Sequence, residues 1–159
     1  MASLLTARDP AADSKAGSPT DAIRAQVAEL LRSLYPQLGV VERRKHHRYP
    51  YPQIVHLTPL TEMGAAVTDE TTTAVCKHLS ERGLGFFHQQ PLAHRRVIAS
   101  LESPHARWLA FVLDVGWCRF TRHSWYESGG RFLQAIDSPL GTTTRKPRQS
   151  PRTTGAAST

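Results

Sequence analysis

Arg44 and Arg48 stand four residues apart in the run Arg43-Arg44-Lys45-His46-His47-Arg48, directly ahead of Tyr49-Pro50-Tyr51-Pro52 and the strand-like Gln53-Ile54-Val55-His56-Leu57. A guanidinium is a planar fork of donors that never loses its charge, so such a pair can grip a phosphate or lie flat on a base. Some thirty residues on comes His78-Leu79-Ser80-Glu81-Arg82-Gly83, a polar turn that leads into the apolar Leu84-Gly85-Phe86. The two segments are expected to face one anionic ligand. Spacing alone is weak support, because Arg148 and Arg152 near the C-terminus repeat it. A solvated basic linker, and a tight turn whose serine satisfies local amides, are the plain alternatives.

Other chemistries are less well supplied. The adjacent His46 and His47 would point to opposite faces of an extended segment, with no thiolate or carboxylate at ligand spacing, so no metal site is expected. Asp114, His123, Ser124 and Glu127 can be assembled on paper into a hydrolytic site, but no nucleophile elbow or paired-carboxylate signature accompanies them; the chain reads as a non-enzyme. Trp117, Trp125, Tyr126 and Phe132 alternate with Arg119, Arg122 and Arg131, which could make a stacking surface for single-stranded nucleic acid. Strand alternation more simply places these aromatics inside and the arginines in water. Cys76 and Cys118 each lie in an apolar stretch and are expected to be buried thiols, not a disulfide pair.

These groups need a scaffold. Residues 1–18 are rich in Ala, Ser, Asp and Pro, and 137–159 in Ser, Thr, Pro, Gly and Arg; both tails are expected to be disordered. Between them, Ile23, Val27, Leu30, Leu31 and Leu34 form one helical face, predicting an amphipathic helix over 19–36 that Thr20 or Asp21 caps and Pro36 ends. Its stripe should pack on the domain that follows. From Gln53 the period changes to two. Gln53–Leu60, Thr71–Lys77, Gly85–His88, Arg95–Glu102, Trp108–Asp114, Trp117–Arg122 and Arg131–Ile136 read as strands, with Ser128-Gly129-Gly130 as a hairpin turn. Pro50 and Pro52 lack amide donors and suit an extended lead-in. Strands joined by turns, without crossover helices, point to an all-β antiparallel barrel or sandwich over residues 42–136.

The net charge of +7 favours an anionic partner such as a nucleotide, nucleic acid or membrane surface. The tail is proportionately the most basic part, where Arg145, Lys146, Arg148 and Arg152 face Asp137 alone. No stretch approaches the ~20 apolar residues of a membrane span. Met1 to Asp9 lacks the pattern of a signal peptide, so a cytoplasmic location is expected.

Taken together, the pieces resemble the PilZ family, bacterial receptor modules for cyclic di-GMP. That family pairs an RxxxR motif before the first barrel strand with a (D/N)xSxxG motif on the strands that follow. Arg44 and Arg48 match the first motif; Ser80 and Gly83 match the second, with His78 standing where the family has Asp or Asn. The resemblance implies a six-stranded antiparallel β-barrel. It also implies a ligand site of Arg44, Arg48, His78, Ser80 and Gly83, with cyclic di-GMP as the ligand, no cofactor, and an unidentified protein effector downstream. The change at 78 has a chemical cost. A carboxylate accepts two hydrogen bonds from guanine N1–H and its exocyclic amine, whereas neutral imidazole accepts one. Unpaired buried donors cost about 1–3 kcal/mol, so weakened binding is expected. Two rivals remain: a degenerate barrel that binds no nucleotide and serves as a protein-interaction adaptor, and a small nucleic-acid-binding barrel that uses the basic tail.

Overall fold

The computed structural model describes residues 17–36 and 47–141. Arg44, the lead-in from Gln37 to His46 and most of both tails lie outside the described residues. Helix α1 (Pro19–Leu34) comes first, followed by β1 (Tyr49–Pro50), β2 (Ile54–Pro59), β3 (Thr72–Leu79), β4 (Gly83–His88), β5 (Arg96–Glu102), β6 (Trp108–Phe120) and β7 (Tyr126–Ile136). All pairings are antiparallel. The order β3-β2-β5-β6-β7-β4 returns from β4 to β3 and closes a six-stranded barrel, to which the short β1 adds on the end of β3.

The interior is filled by alternate residues of each strand. Val55 and Leu57 come from β2, Ala74 and Cys76 from β3, and Leu84 and Phe86 from β4. Val97, Ala99 and Leu101 from β5 meet Leu109, Phe111 and Leu113 from β6. The period-two pattern forces this arrangement, because successive side chains leave opposite faces. Tyr51, between β1 and β2, also turns inward; its amide donates to the carbonyl of Lys77 at 3.0 Å.

Helix α1 closes one end of the barrel. Ile23, Val27, Leu30 and Leu31 are buried and belong to the same core. Burying each such side chain stabilises by about 1.5–3 kcal/mol, which explains why a short helix stays docked. Arg24 pairs with Glu81 in the β3–β4 turn at 3.3 Å, and Glu29 with Arg107 in the β5–β6 turn at 2.6 Å. Those turns share one end of an antiparallel barrel. The helix begins at Pro19, the first residue of the predicted range, but the residue before it is Ser18, so neither Thr20 nor Asp21 is the cap: Pro19 takes the first position, where a missing amide costs nothing, and the Ser18 carbonyl accepts from Asp21 and Ala22.

The structure corrects the sequence reading of the last hairpin. Trp108–Asp114 and Trp117–Arg122 are not two strands but one, β6. Ser128-Gly129-Gly130 is not a turn but the inside of β7. The reversal falls at Thr121–Trp125, where the Thr121 amide donates to the Trp125 carbonyl at 2.7 Å and Ser124 takes φ 60. The glycines serve close approach instead. A Cβ on Gly129 would sit 2.5 Å from the Trp117 ring nitrogen, and one on Gly130 would sit 2.7 Å from the Asp114 carbonyl oxygen. A second correction follows from β6 running past β5: Cys118 is exposed, and of the expected pair of buried thiols Cys76 alone is buried. Among the described residues, no helix is long and apolar enough to cross a membrane.

Candidate functional site

The β3–β4 turn is held by one hydroxyl. Ser80 Oγ accepts from the amides of Arg82 at 3.2 Å and Gly83 at 3.3 Å, and donates to the Gly83 carbonyl at 3.3 Å. The Ser80 amide donates to the same carbonyl at 2.9 Å. Gly83 then opens β4 against β7, so close that a Cβ would overlap the Gly130 carbonyl oxygen. Glycine is thus required at 83 by the strand behind it.

His78 reaches the outer surface through a β-bulge. Cys76 opposes Phe86 and His78 opposes Gly85, leaving Lys77 as the extra residue. Strict alternation would send His78 into the barrel beside Cys76; the added residue turns it outward instead. Its ring lies over Gly85, the only residue type that leaves room for it. Burial first, then the charges of Arg48 and Lys77, hold the imidazole below its ordinary pKa, with Glu127 opposing them. The ring is therefore neutral at physiological pH, with one donor and one acceptor.

Arg48, His78, Ser80 and Gly83 meet in one cavity of about 200 Å³, together with Arg82, Leu84, Trp117, Gly129 and Gly130. Among the described residues, no carboxylate lines it. Glu81, the acid closest in sequence, is drawn to Arg24 on the helix. Arg48 and Arg82 make no ion pair among the described residues, so two guanidinium groups and an imidazole face the cavity without an internal counter-ion. Arg44 lies outside the described residues.

Trp117 was not among the expected site residues, and the reading that put the aromatics inside is overturned for it: the side chain is 45% exposed. Arg119 lies over its ring at 5.7 Å, and Gly129 leaves the space against which the indole rests. Phe132 does face inward. The signal that identifies Trp117 is the Gly129-Gly130 pair, which makes a flat floor in β7 rather than a turn.

Beneath this surface Glu127 is buried at 5% exposure, receiving Lys77 Nζ at 2.7 Å and the Arg119 guanidinium at 2.5 and 2.9 Å. These hydrogen bonds, that from Lys77 foremost, lower its pKa against the opposing effect of burial. Asp114 is bound separately to Arg95 at 2.8 and 3.3 Å, so the carboxylates are tied up in separate ion pairs. Among the described residues, no three His, Cys, Asp or Glu side chains gather where a metal ion could sit.

No family model and no curated protein matches the sequence. Among solved structures, that of MrkH from K. pneumonia in its apo state is similar, with TM-score 0.38 and 14% identity over 58% of this chain. The match spans 43% of MrkH, less than half its length. At that distance the site must be read from its own geometry.

Proposed function

We propose that the chain is a non-catalytic receptor module for cyclic di-GMP, as the PilZ-like order of its motifs implies, and that it passes ligand occupancy to a protein partner. The observation that carries this reading is the cavity shared by Arg48, His78, Ser80, Arg82 and Trp117, lined by cationic and aromatic groups and, among the described residues, by no acid. Its volume is below the ~300–1,000 Å³ of whole-ligand pockets, so it suits one base or phosphate of a dinucleotide. Arg48 would clamp a phosphate by two parallel N–H donors, with Arg82 beside it. Trp117 offers a π-face for the base, a contact worth about 1–3 kcal/mol. Neutral His78 would accept one of the two guanine donors that a carboxylate would take. Arg44 would bring the second guanidinium from the lead-in segment.

Calorimetric titration with cyclic di-GMP tests the reading. The expected result is weak binding that Arg48→Ala reduces at least about tenfold, and that His78→Asp strengthens by restoring the second acceptor. No heat from the native chain, and none gained by His78→Asp, would remove it.

The adaptor reading also has an observation in its favour: the Ser80 hydroxyl is already engaged by its own turn. Charge reversal at Arg44 and Arg48 separates the two, since an adaptor that uses another face keeps its partner.

A further inference from the structure

The two rings at the cavity are set in the same way. Trp117 follows an inserted residue, Gly116, just as His78 follows Lys77, and each insertion turns its ring to the outer face. Gly85 and Gly129 are partners in the β4–β7 ladder; His78 opposes the first and Trp117 the second. One row across four strands therefore reads His78-Gly85-Gly129-Trp117. A Cβ at Gly85 would lie 2.5, 2.8 and 3.1 Å from Cε1, Nε2 and Nδ1 of the imidazole. One at Gly129 would lie 2.5, 2.6 and 2.7 Å from Nε1, Cε2 and Cζ2 of the indole. Distances so close to equal across neighbouring ring atoms place the missing Cβ over a ring face, not beyond an edge. Both rings thus lie flat on bare glycine backbone, with their opposite faces turned outward. Arg119, held by Glu127, borders the indole at 5.7 Å, and the indole is still 45% exposed.

We infer that this cavity recognises a base by its face, so that the site takes cyclic purine dinucleotides as a class and does not separate guanine from adenine. The inference deepens the receptor reading above and rests on it. Stacking tolerates any base, because every base has a π-face. The groups that meet a base edge are equally permissive. Neutral His78 has one acceptor, which guanine N1–H or the adenine amine satisfies alike. Arg48 and Arg82 only donate, and both purines offer an acceptor at N7. The Ser80 hydroxyl is committed to its own turn. Among the described residues, no side chain of the cavity offers the paired acceptors that would single out guanine.

The test is calorimetric titration of the full chain with cyclic di-GMP and, in the same salt, with cyclic di-AMP, which differs only in its bases. The two dissociation constants should agree within about tenfold. Trp117→Ala should weaken both ligands at least about fivefold and by the same factor, because the lost face is shared. Trp117→Phe, which keeps a smaller face, should fall between. His78→Asp should create a preference for cyclic di-GMP of at least about tenfold, since a carboxylate pairs with two adjacent donors on guanine and only one on adenine.

A native chain that prefers cyclic di-GMP by more than about tenfold would overturn the inference and leave the receptor reading standing. A loss on Trp117→Ala confined to cyclic di-GMP would do the same. A native chain that gives heat with neither ligand also overturns it; the receptor reading then falls only if His78→Asp is silent as well.

Discussion

The imidazole of His78 rests on the backbone of Gly85, its partner in the β3–β4 ladder: a Cβ at 85 would come within 2.5 Å of Cε1. Gly85→Ala should therefore push the ring off its seat. Overpacking of this kind costs about 1–3 kcal/mol, and a rotatable ring places it at the lower end. Urea denaturation should show most of that cost disappearing in a His78→Ala background. Gly83→Ala should cost more and show no such rescue, because its obstacle is the Gly130 carbonyl rather than a side chain.

The neutral state of His78 has a consequence for stability. Its folded pKa lies below the ordinary 6.5, mainly through burial and then through Arg48 and Lys77. As pH falls from neutrality through 6.5, the unfolded chain takes up a proton that the folded chain refuses, so stability declines and levels off below the folded pKa. His78→Asn should remove that slope from a plot of unfolding free energy against pH. Arg48→Ala should move the His78 resonance titration upward by NMR, though not fully to 6.5, since burial is the larger cause.

Glu127 works in the opposite sense. Its pKa is lowered by Lys77 and Arg119, so its contribution is present above the ordinary 4.5 and is lost as pH falls through the folded value. Glu127→Gln should cost about 1–3 kcal/mol at neutral pH, the range for hydrogen bonds to a charged group. The penalty should shrink in acid, where native Glu127 is protonated as well. Chemical denaturation at neutral pH and at low pH checks both parts.

The two thiols should report opposite environments. Cys118 is exposed, whereas burial pushes the Cys76 thiol up to about 12. A chromogenic disulfide reagent should titrate Cys118 in the native chain and reach Cys76 only after denaturant is added.

Much of the architecture was legible because one periodicity fixes one face. The stripe from Ile23 to Leu31 marked the helix, and Val97, Ala99 and Leu101 marked the inner side of β5. Where a second layer intervenes, single-strand pattern fails. Ile98 and Ser100 point outward yet are buried, because Leu60 packs on Ile98 and Ser138 bonds to Ser100 at 3.0 Å. Gly129 and Gly130 misled for a related reason: glycine signals a bend when read locally, but here it makes room for Trp117 and Leu113. The outward turn of His78 depends on the inserted Lys77, and an insertion shows only once the partner strand is known. Cys118 and Trp117 were placed inside because nothing in the sequence tells where β5 stops relative to β6.

The hydroxyl of Tyr35, just past the helix, donates to the Pro50 carbonyl at 2.6 Å, and its ring lies 5.6 Å from that of Tyr49, which in turn meets His47 at 4.4 Å. Tyr49 is the immediate neighbour of Arg48. The segment beside Arg48 and the end of the helix are thus joined by side chains, a contact that couples the position of one to the other. Tyr35→Phe would loosen that joint without touching the cavity.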